Sequence, residues 1–252
     1  MKKLFIFGVQ RSGTSILSSV IGELPEVAHF PETNAKINSE ESKEAGQTIR
    51  LKKLEEVQAI FNKIDNKKLI VAKPLVESQN ALKILNFFHD ACAVWNYRQV
   101  HDVISSFIVK WNPKEPKSFF RPLIEKSNHN WRSENLPLSS WNLFEEHYSE
   151  NMSIENAIAL FWLMRNNLYF TQKLDSDTRI RLVSYEKMVQ EYDYLQRKLN
   201  SLDIDIKIQQ KKHKLNNKSI GKGNNITLSP ILEKKCIDMY MKLNKQEVLE
   251  SL

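Results

Sequence analysis

Three cations follow three short apolar runs in this 252-residue chain: Arg11 after Leu4–Phe7, Lys73 after Lys68–Ala72, and Arg98 after Ala91–Tyr97. Around the first of them stand Gly8, Gly13, Thr14 and Ser15, and helical spacing of apolar residues (Ile16, Leu17, Val20, Ile21, Leu24) begins there. A positive side chain, a glycine-bounded turn and hydroxyls opening a helix are the parts of an anion site. The first N–H groups of a helix have no partner within it, and the aligned peptide dipoles place partial positive charge at that end. Read singly, each cation is an ordinary surface charge. If the apolar runs are parallel strands of one sheet, their ends share an edge and the cations converge on one ligand. The expected ligand is a polyanionic small molecule.

The spacing Gly8-x-x-x-x-Gly13 is that of a nucleotide phosphate loop, with Ser15 in the Ser/Thr position. Thr14 stands where an NTPase needs its lysine. The apolar runs end in Ala72-Lys73, Tyr97-Arg98 and Ser184-Tyr185, so none supplies an aspartate for magnesium. Phosphoryl transfer without a metal site runs against the chemistry of that class, which leaves a P-loop kinase or NTPase as the alternative. No Cys/His cluster has metal-ligand spacing, and no metal is expected.

The elements that must position these residues alternate. Strands are expected at Leu4–Phe7, Lys68–Ala72, Ala91–Tyr97 and Arg179–Val183. Helices are expected after Gly13, over Ile49–Ile64, through Asn80–Phe88 with Ser78 as cap, along Val103–Lys110 with Asp102 capping or opening it, from Ser153 to about Leu174, over Tyr185–Leu199, and from Ser229-Pro230 onward. Pro25–Lys36 is too polar and proline-broken for a long element. The pattern predicts an α/β, three-layer, P-loop-like fold: a central parallel sheet of four to five strands flanked by helices. With no linker or repeat, residues 1–252 form a single domain. Residues 111–150, with four prolines and many aromatic rings, are its irregular insertion and the expected acceptor-site lid. The competing expectation is that these rings pack a helical subdomain onto the sheet.

Lys and Arg number 37 against 30 Asp and Glu, a net charge of +7, which favours anionic ligands. Nucleic acid is one candidate class. Most of the lysine is scattered over surface-like positions, and the six lysines within 207–222 read chiefly as a solvated loop. Two cysteines, Cys92 and Cys236, make no disulfide framework and suit a reducing compartment. The start, Met1-Lys2-Lys3 and Leu4–Val9, has too short an apolar run for a signal peptide, and no segment approaches a membrane span. A cytoplasmic protein is expected.

Four segments resemble the sulfotransferases that use 3′-phosphoadenosine-5′-phosphosulfate (PAPS). Gly8–Ser15 is similar to their 5′-phosphosulfate loop. Tyr97–Phe107 is similar to their 3′-phosphate motif, an arginine with a serine eight residues later. Val183–Val189 resembles their Tyr-Glu-x-Leu-Val segment, with Met188 in place of leucine, and Ser219–Gly223 their glycine/lysine loop. All four occur in the family's order over nearly the whole chain. The bacterial and protein-tyrosine branch, with Arg-Ser-Gly-Thr in the loop and a Glu-Thr pair after the first helix, is most similar, and here the pair is Glu32-Thr33.

The resemblance implies roles. Arg11 and the N–H groups of Ser12, Gly13, Thr14 and Ser15, with the hydroxyls of Thr14 and Ser15, would hold the phosphosulfate. Arg98 and Ser106 would hold the 3′-phosphate. Lys110, on the helix face of Ser106, would add a second charge. Tyr185 would contact adenine, and Lys222 with Lys218 would close the phosphate end. Glu32 becomes the base, Lys73 the leaving-group stabiliser and Arg11 the third catalytic residue, with His29 as a rival base. The histidine that many cytosolic members carry two residues after this lysine is Leu75 here, and their adenine-stacking tryptophan is Ile16. The expected partners are PAPS and an acceptor hydroxyl, less readily an amine, of a carbohydrate or small molecule, with adenosine 3′,5′-bisphosphate as product. A peptide tyrosine is the alternative acceptor. Nucleic acid, a membrane span and a metal are not expected, and the oligomeric state is not legible.

Overall fold

The computed structural model describes residues 1–41, 48–127, 130–208 and 217–250. Its strands are β1 (Lys2–Gly8), β2 (Val27–Phe30), β3 (Asn38–Glu41), β4 (Thr48–Leu51), β5 (Leu69–Ala72), β6 (Ala91–Tyr97) and β7 (Ile180–Ser184). Five of them form one sheet in the order β2-β5-β1-β6-β7, and every pairing in it is parallel. β1 is central, with Leu4 opposite Val71 on one side and Gly8 opposite Asn96 on the other. Its run from Lys3 to Gly8 and all of β6 are buried, as strands covered on both faces require.

The helices are α1 (Thr14–Gly22), α2 (Leu54–Phe61), α3 (Ala81–Phe87), α4 (Val100–Trp111), α5 (Lys117–Ile124), α6 (Leu138–His147), α7 (Ile154–Thr171), α8 (Tyr185–Gln190), α9 (Tyr194–Asn200) and α10 (Pro230–Leu249). Alternation along β1 sends Phe5 and Phe7 to one face, against Phe61, Leu85, Tyr169 and Leu243. Leu4 and Ile6 go to the other, against Leu17, Ile21, Leu195 and Leu199. The result is the expected α/β three-layer fold with a five-stranded parallel sheet. Among the described residues, no helix is long and apolar enough to cross a membrane, and no group of three or more His, Cys, Asp or Glu is placed to hold a metal ion.

Several expected elements differ. The helix predicted over Ile49–Ile64 starts only at Leu54. Before it, Thr48–Leu51 pairs antiparallel with Asn38–Glu41, where β-branched Thr48 and Ile49 suit a strand. Val27–Phe30, inside the stretch expected to be irregular, is the edge strand beside β5. The helix predicted over Tyr185–Leu199 breaks at Glu191, whose backbone is extended, and the break lets Tyr194 Oη accept from Ser184 N at 2.7 Å. Ser78 caps nothing. It lies within a 3-10 turn, Leu75–Asn80, where its hydroxyl bonds Gly8 N and O at 3.1 Å and donates to Leu75 O at 2.7 Å. Gln99, not Asp102, caps α4, accepting from Asp102 N at 3.1 Å. Ser153 does cap α7, accepting from Asn156 N at 3.2 Å.

Residues 111–150 contain α5 and α6, and Phe119, Phe120, Trp131 and Phe144 are buried against α4 and α7. These rings form the core of a helical cap at one end of the sheet. Leu138 and Trp111 remain exposed. His129, His213 and the lysines 211, 212 and 214 lie outside the described residues.

Candidate active site

Two glycines shape the loop after β1. At Gly8, with φ of +132°, a Cβ would stand 2.2 Å from the carbonyl oxygen of Asn96; at Gly13, with φ of +88°, it would stand 2.2 Å from the Tyr185 ring. Only a residue without a side chain lets the loop pass between β6 and Tyr185. Arg11, between them, sits at φ +67°, a left-handed conformation that arginine adopts at a cost. Asn96 Nδ2 donates to Ser12 O, and Ser12 N donates to Val9 O at 3.2 Å, fixing the turn. Ser12 is fully buried. Gly13 ends the loop as the N-cap of α1, and the opening turn of α1 lines a cleft of about 380 Å³.

On the β6 side the cleft is cationic. Arg98 is buried, donates from Nη1 to Arg11 O at 3.3 Å and from Nη2 to Ser219 O, and lies 4.2 Å above the Tyr185 ring. Its Nε is buried without a partner among the described residues. Arg11 Nε donates to Ser106 Oγ at 3.0 Å, and its guanidinium stacks 5.5 Å from the Trp111 ring. Burial, and then the neighbouring Arg98, push the Arg11 guanidinium below its ordinary pKa. Two arginines held this closely want an anion between them.

Asp102 is the anchor of this wall. Its carboxylate accepts from Gly221 N and Gly223 N, each at 3.0 Å, and pairs with Arg98 at 3.5 Å. A Cβ at Gly223 would stand 2.2 Å from the His101 carbonyl oxygen, so the glycine loop lies flat on the first turn of α4. Ser219 and Lys222 thereby reach the cleft, and the Tyr185 and Ser219 hydroxyls bond at 2.6 Å.

The β5 side carries a different group. Lys73, buried at the end of β5, donates to Ser15 Oγ at 3.0 Å and pairs with Glu32 at 3.1 Å. Sheet register makes this meeting: β2 and β5 are paired with Phe30 opposite Ala72, and Lys73 N donates to Phe30 O at 3.0 Å. Glu32 keeps a 24% exposed side chain, open to an incoming group. His29, the rival base, turns to Ser18 Oγ at 2.7 Å. Burial, then Lys73, lower its pKa, against a raising effect of Glu23, so it stays neutral near pH 7. The arrangement offers a carboxylate to take a proton and an ammonium shared between that carboxylate and the phosphate loop.

The structure thus gathers Glu32, Lys73 and Ser15 on one side of the loop, and Arg11, Arg98, Ser106, Tyr185 and Lys222 on the other. Lys110 and Lys218 are exposed and outside the cleft lining. Sequence reasoning missed Asn96 and the anchoring role of Asp102, took Ser78 for a helix cap, and named Ser219 only as the start of the glycine/lysine loop. Asn96 did leave a signal, as the one polar residue inside the apolar run Ala91–Tyr97.

No protein-family model matches the chain, and neither does any curated protein. Solved structures do. The sulfotransferase domain from the curacin biosynthetic pathway superposes with a TM-score of 0.61 at 12% identity, over 96% of each chain. The sulfotransferase domain from the Synechococcus PCC 7002 olefin synthase gives 0.54 at 14% identity, over 97% of this chain and 94% of that one. Mouse sulfotransferase SULT7A1 complexed with PAP gives 0.51 at 12% identity, over 99% and 87%. The chain has the sulfotransferase fold.

Proposed function

We propose that this chain is a PAPS-dependent sulfotransferase, moving a sulfuryl group to an acceptor hydroxyl and releasing adenosine 3′,5′-bisphosphate. One observation carries the proposal. Lys73, ion-paired with Glu32, and Arg98 follow the ends of β5 and β6, the two strands that flank β1, on opposite sides of one glycine loop, and Ser106 lines the same cleft as Arg98. Such a layout suits a ligand with a phosphate at each end and a reacting group near the carboxylate. The mouse structure complexed with PAP has the same fold.

The residues fit the donor nucleotide. The unpartnered Arg98 Nε and the Ser106 hydroxyl would take the 3′-phosphate, with Arg11 beside them. Arg11, Ser12, Gly13, Thr14 and Ser15 would hold the phosphosulfate through the loop and the α1 N-terminus. Tyr185, covered by Arg98 and bonded to Ser219, seats the 3′-phosphate arginine. Ile16 and Val109, exposed on the cleft wall, give the adenine ring an apolar surface where the family's tryptophan is absent. Lys222 would close over the phosphates. Lys110 and Lys218 are left for the outer electrostatic field.

PAPS, when bound, supplies a sulfuryl group on a phosphate leaving group. Glu32 takes the proton of the acceptor hydroxyl as that oxygen bonds to sulfur. Lys73, with Ser15, steadies the charge that grows on the departing phosphate oxygen. No step in this scheme uses a metal.

Calorimetry with adenosine 3′,5′-bisphosphate and transfer of labelled sulfate from PAPS test the assignment together. Glu32→Gln should bind the bisphosphate like the parent and lose transfer by about 100-fold or more, the usual scale for a general base. Arg98→Ala should lose measurable binding. Failure of the parent protein to bind the bisphosphate would overturn the assignment.

A further inference from the structure

A second cluster of arginines lies beyond the β5 side of the site. Arg165, in α7, is 1% exposed and has one acceptor, Gln79 Oε1 at 3.2 Å from Nη1. Its Nε and Nη2 are buried without a partner among the described residues, as are Nε and Nη1 of Arg132 and Nε2 of Gln79. One indole serves both arginines: their guanidinium carbons lie 4.6 Å (Arg132) and 5.0 Å (Arg165) from the Trp131 ring centre.

The nearby carboxylates are already committed. Arg50 donates to Glu77 from Nε at 2.5 Å and Nη2 at 3.2 Å, and to Glu134 at 2.6 Å. Glu77 also accepts from Asn80 Nδ2 at 2.9 Å and Leu51 N at 3.3 Å. Among the described residues, Arg132 Nε and Nη1 and Arg165 Nε and Nη2 are therefore buried donors facing no acceptor. An indole face returns less than a buried guanidinium loses by leaving water unpaired. Burial pushes both guanidinium groups down, Arg132 to about 10 and Arg165 to about 9. A buried set of donors without acceptors is the form of an anion site waiting for its anion.

Its place in the fold says which anion. Gln79 belongs to the 3-10 turn Leu75–Asn80 that follows Lys73 and Pro74; four steps at roughly 2 Å and two of at most about 3.8 Å put its backbone within about 16 Å of the lysine's. Arg132 is half-buried, so the rim of the cluster borders solvent. We propose that Arg132 and Arg165 bind an anionic group of the acceptor substrate, a carboxylate or a phosphate or sulfate ester, while its hydroxyl meets Glu32. This rests on the sulfotransferase assignment above and makes the acceptor an acidic molecule.

The side-chain N–H resonances of arginine report it directly. With ¹⁵N-labelled protein saturated in adenosine 3′,5′-bisphosphate, inorganic phosphate and benzoate are titrated separately. Arg132→Gln and Arg165→Gln assign the two Nε signals. The expected result is a saturable shift of both signals together, with the shift of either one lost when the other arginine is replaced. Phosphate acting alone identifies a phosphate or sulfate ester, and benzoate acting alone a carboxylate. Signals unmoved by both anions would overturn the proposal. Should Arg165→Gln fail to fold, the half-buried Arg132→Gln still decides, because the Arg165 signal must then stop responding. Arg165→Met gives an independent check. Removing an unpaired buried charge should raise the melting temperature by a few degrees, and a fall would mean the guanidinium is compensated and the argument wrong. The bisphosphate-induced shift of Arg98 Nε is read in the same spectra. Its absence would count against the sulfotransferase assignment, whereas its presence beside immobile Arg132 and Arg165 signals would sink the acceptor site alone.

Discussion

Replacing Asp102 by asparagine isolates the contact that shapes the cationic wall. The two carboxylate oxygens accept from Gly221 N and Gly223 N, both at 3.0 Å. Asparagine keeps one acceptor oxygen and turns an NH₂ toward the second glycine amide, so one charge-assisted bond becomes two opposed donors. A hydrogen bond to a charged group contributes about 1.5–3 kcal/mol, and the opposed donors bring the loss to the upper half of that range, roughly 2–3 kcal/mol. At 1.4 kcal/mol per factor of ten, the loop should open about 30–140 times more often. Hydrogen exchange reads that opening at the two glycine amides, whose protection should fall by the same factor. Bisphosphate affinity makes a second readout with two opposing contributions. Loop opening weakens binding, while removal of the carboxylate 3.5 Å from Arg98 leaves that cation freer to attract phosphate. Exchange is therefore the deciding measurement. Wild-type protection at Gly221 and Gly223 in the Asp102→Asn protein would refute the anchoring role.

Two other substitutions probe different parts of the molecule. Gly13→Ala places a Cβ 2.2 Å from the Tyr185 ring at φ +88°. The left-handed backbone costs alanine roughly 1–2 kcal/mol and the overpacking about 1–3 kcal/mol more, so thermal unfolding should shift down and calorimetry should show the cleft closed to bisphosphate. Glu247→Gln strikes the buried network that ties α10 to the sheet, where the carboxylate accepts from Tyr97 at 2.7 Å and Lys187 at 2.9 Å and pairs with Lys198 at 3.2 Å. Among the described carboxylates Lys198 would keep only Glu250, at 3.9 Å, so the loss should be about 3 kcal/mol at pH 7, the lower end of what breaking a buried pair costs. Burial alone would raise the Glu247 pKa, but Lys198, Tyr194, Lys187 and Tyr97 together hold it below the ordinary 4.5. A carboxylate depressed on folding stabilises fully above its unfolded value and loses that contribution as pH falls through its folded one. The gap in melting temperature between parent and Glu247→Gln should hold above about pH 4.5 and shrink below it, and a gap independent of pH down to acid unfolding would contradict this.

The chemistry was more legible in the chain than the elements between its parts. Gly8, Gly13, Arg11, Lys73 and Arg98 follow apolar runs whose length and burial are local properties, so strand ends and the cations after them could be read directly. Glu32 was found only by likeness to a motif, because its meeting with Lys73 depends on β2 pairing beside β5, a non-local fact. Ile49 and Leu51 fit a helical face as well as a strand, and only the partner strand Asn38–Glu41 decides between them. Asp102 looked like a cap because Asp opening a helix usually is one. Its partners lie about 120 residues on, at Gly221 and Gly223, where spacing carries no trace of them. Trp131 and Arg165 stand far apart in sequence, and nothing local announces that they share a face.

Arg11 sets a conflict between persistence and use. Its backbone sits at φ +67°, a region where glycine or asparagine rests more easily, and its guanidinium is held beside Arg98. Both features penalise the folded chain, and both put a cation over Ser106 at the mouth of the cleft. A library screened for heat resistance alone should therefore drift toward glycine or asparagine at position 11, while one screened for nucleotide retention should keep arginine. Divergence of the two outcomes at this single position would measure how much stability the loop forgoes to hold its charge in place.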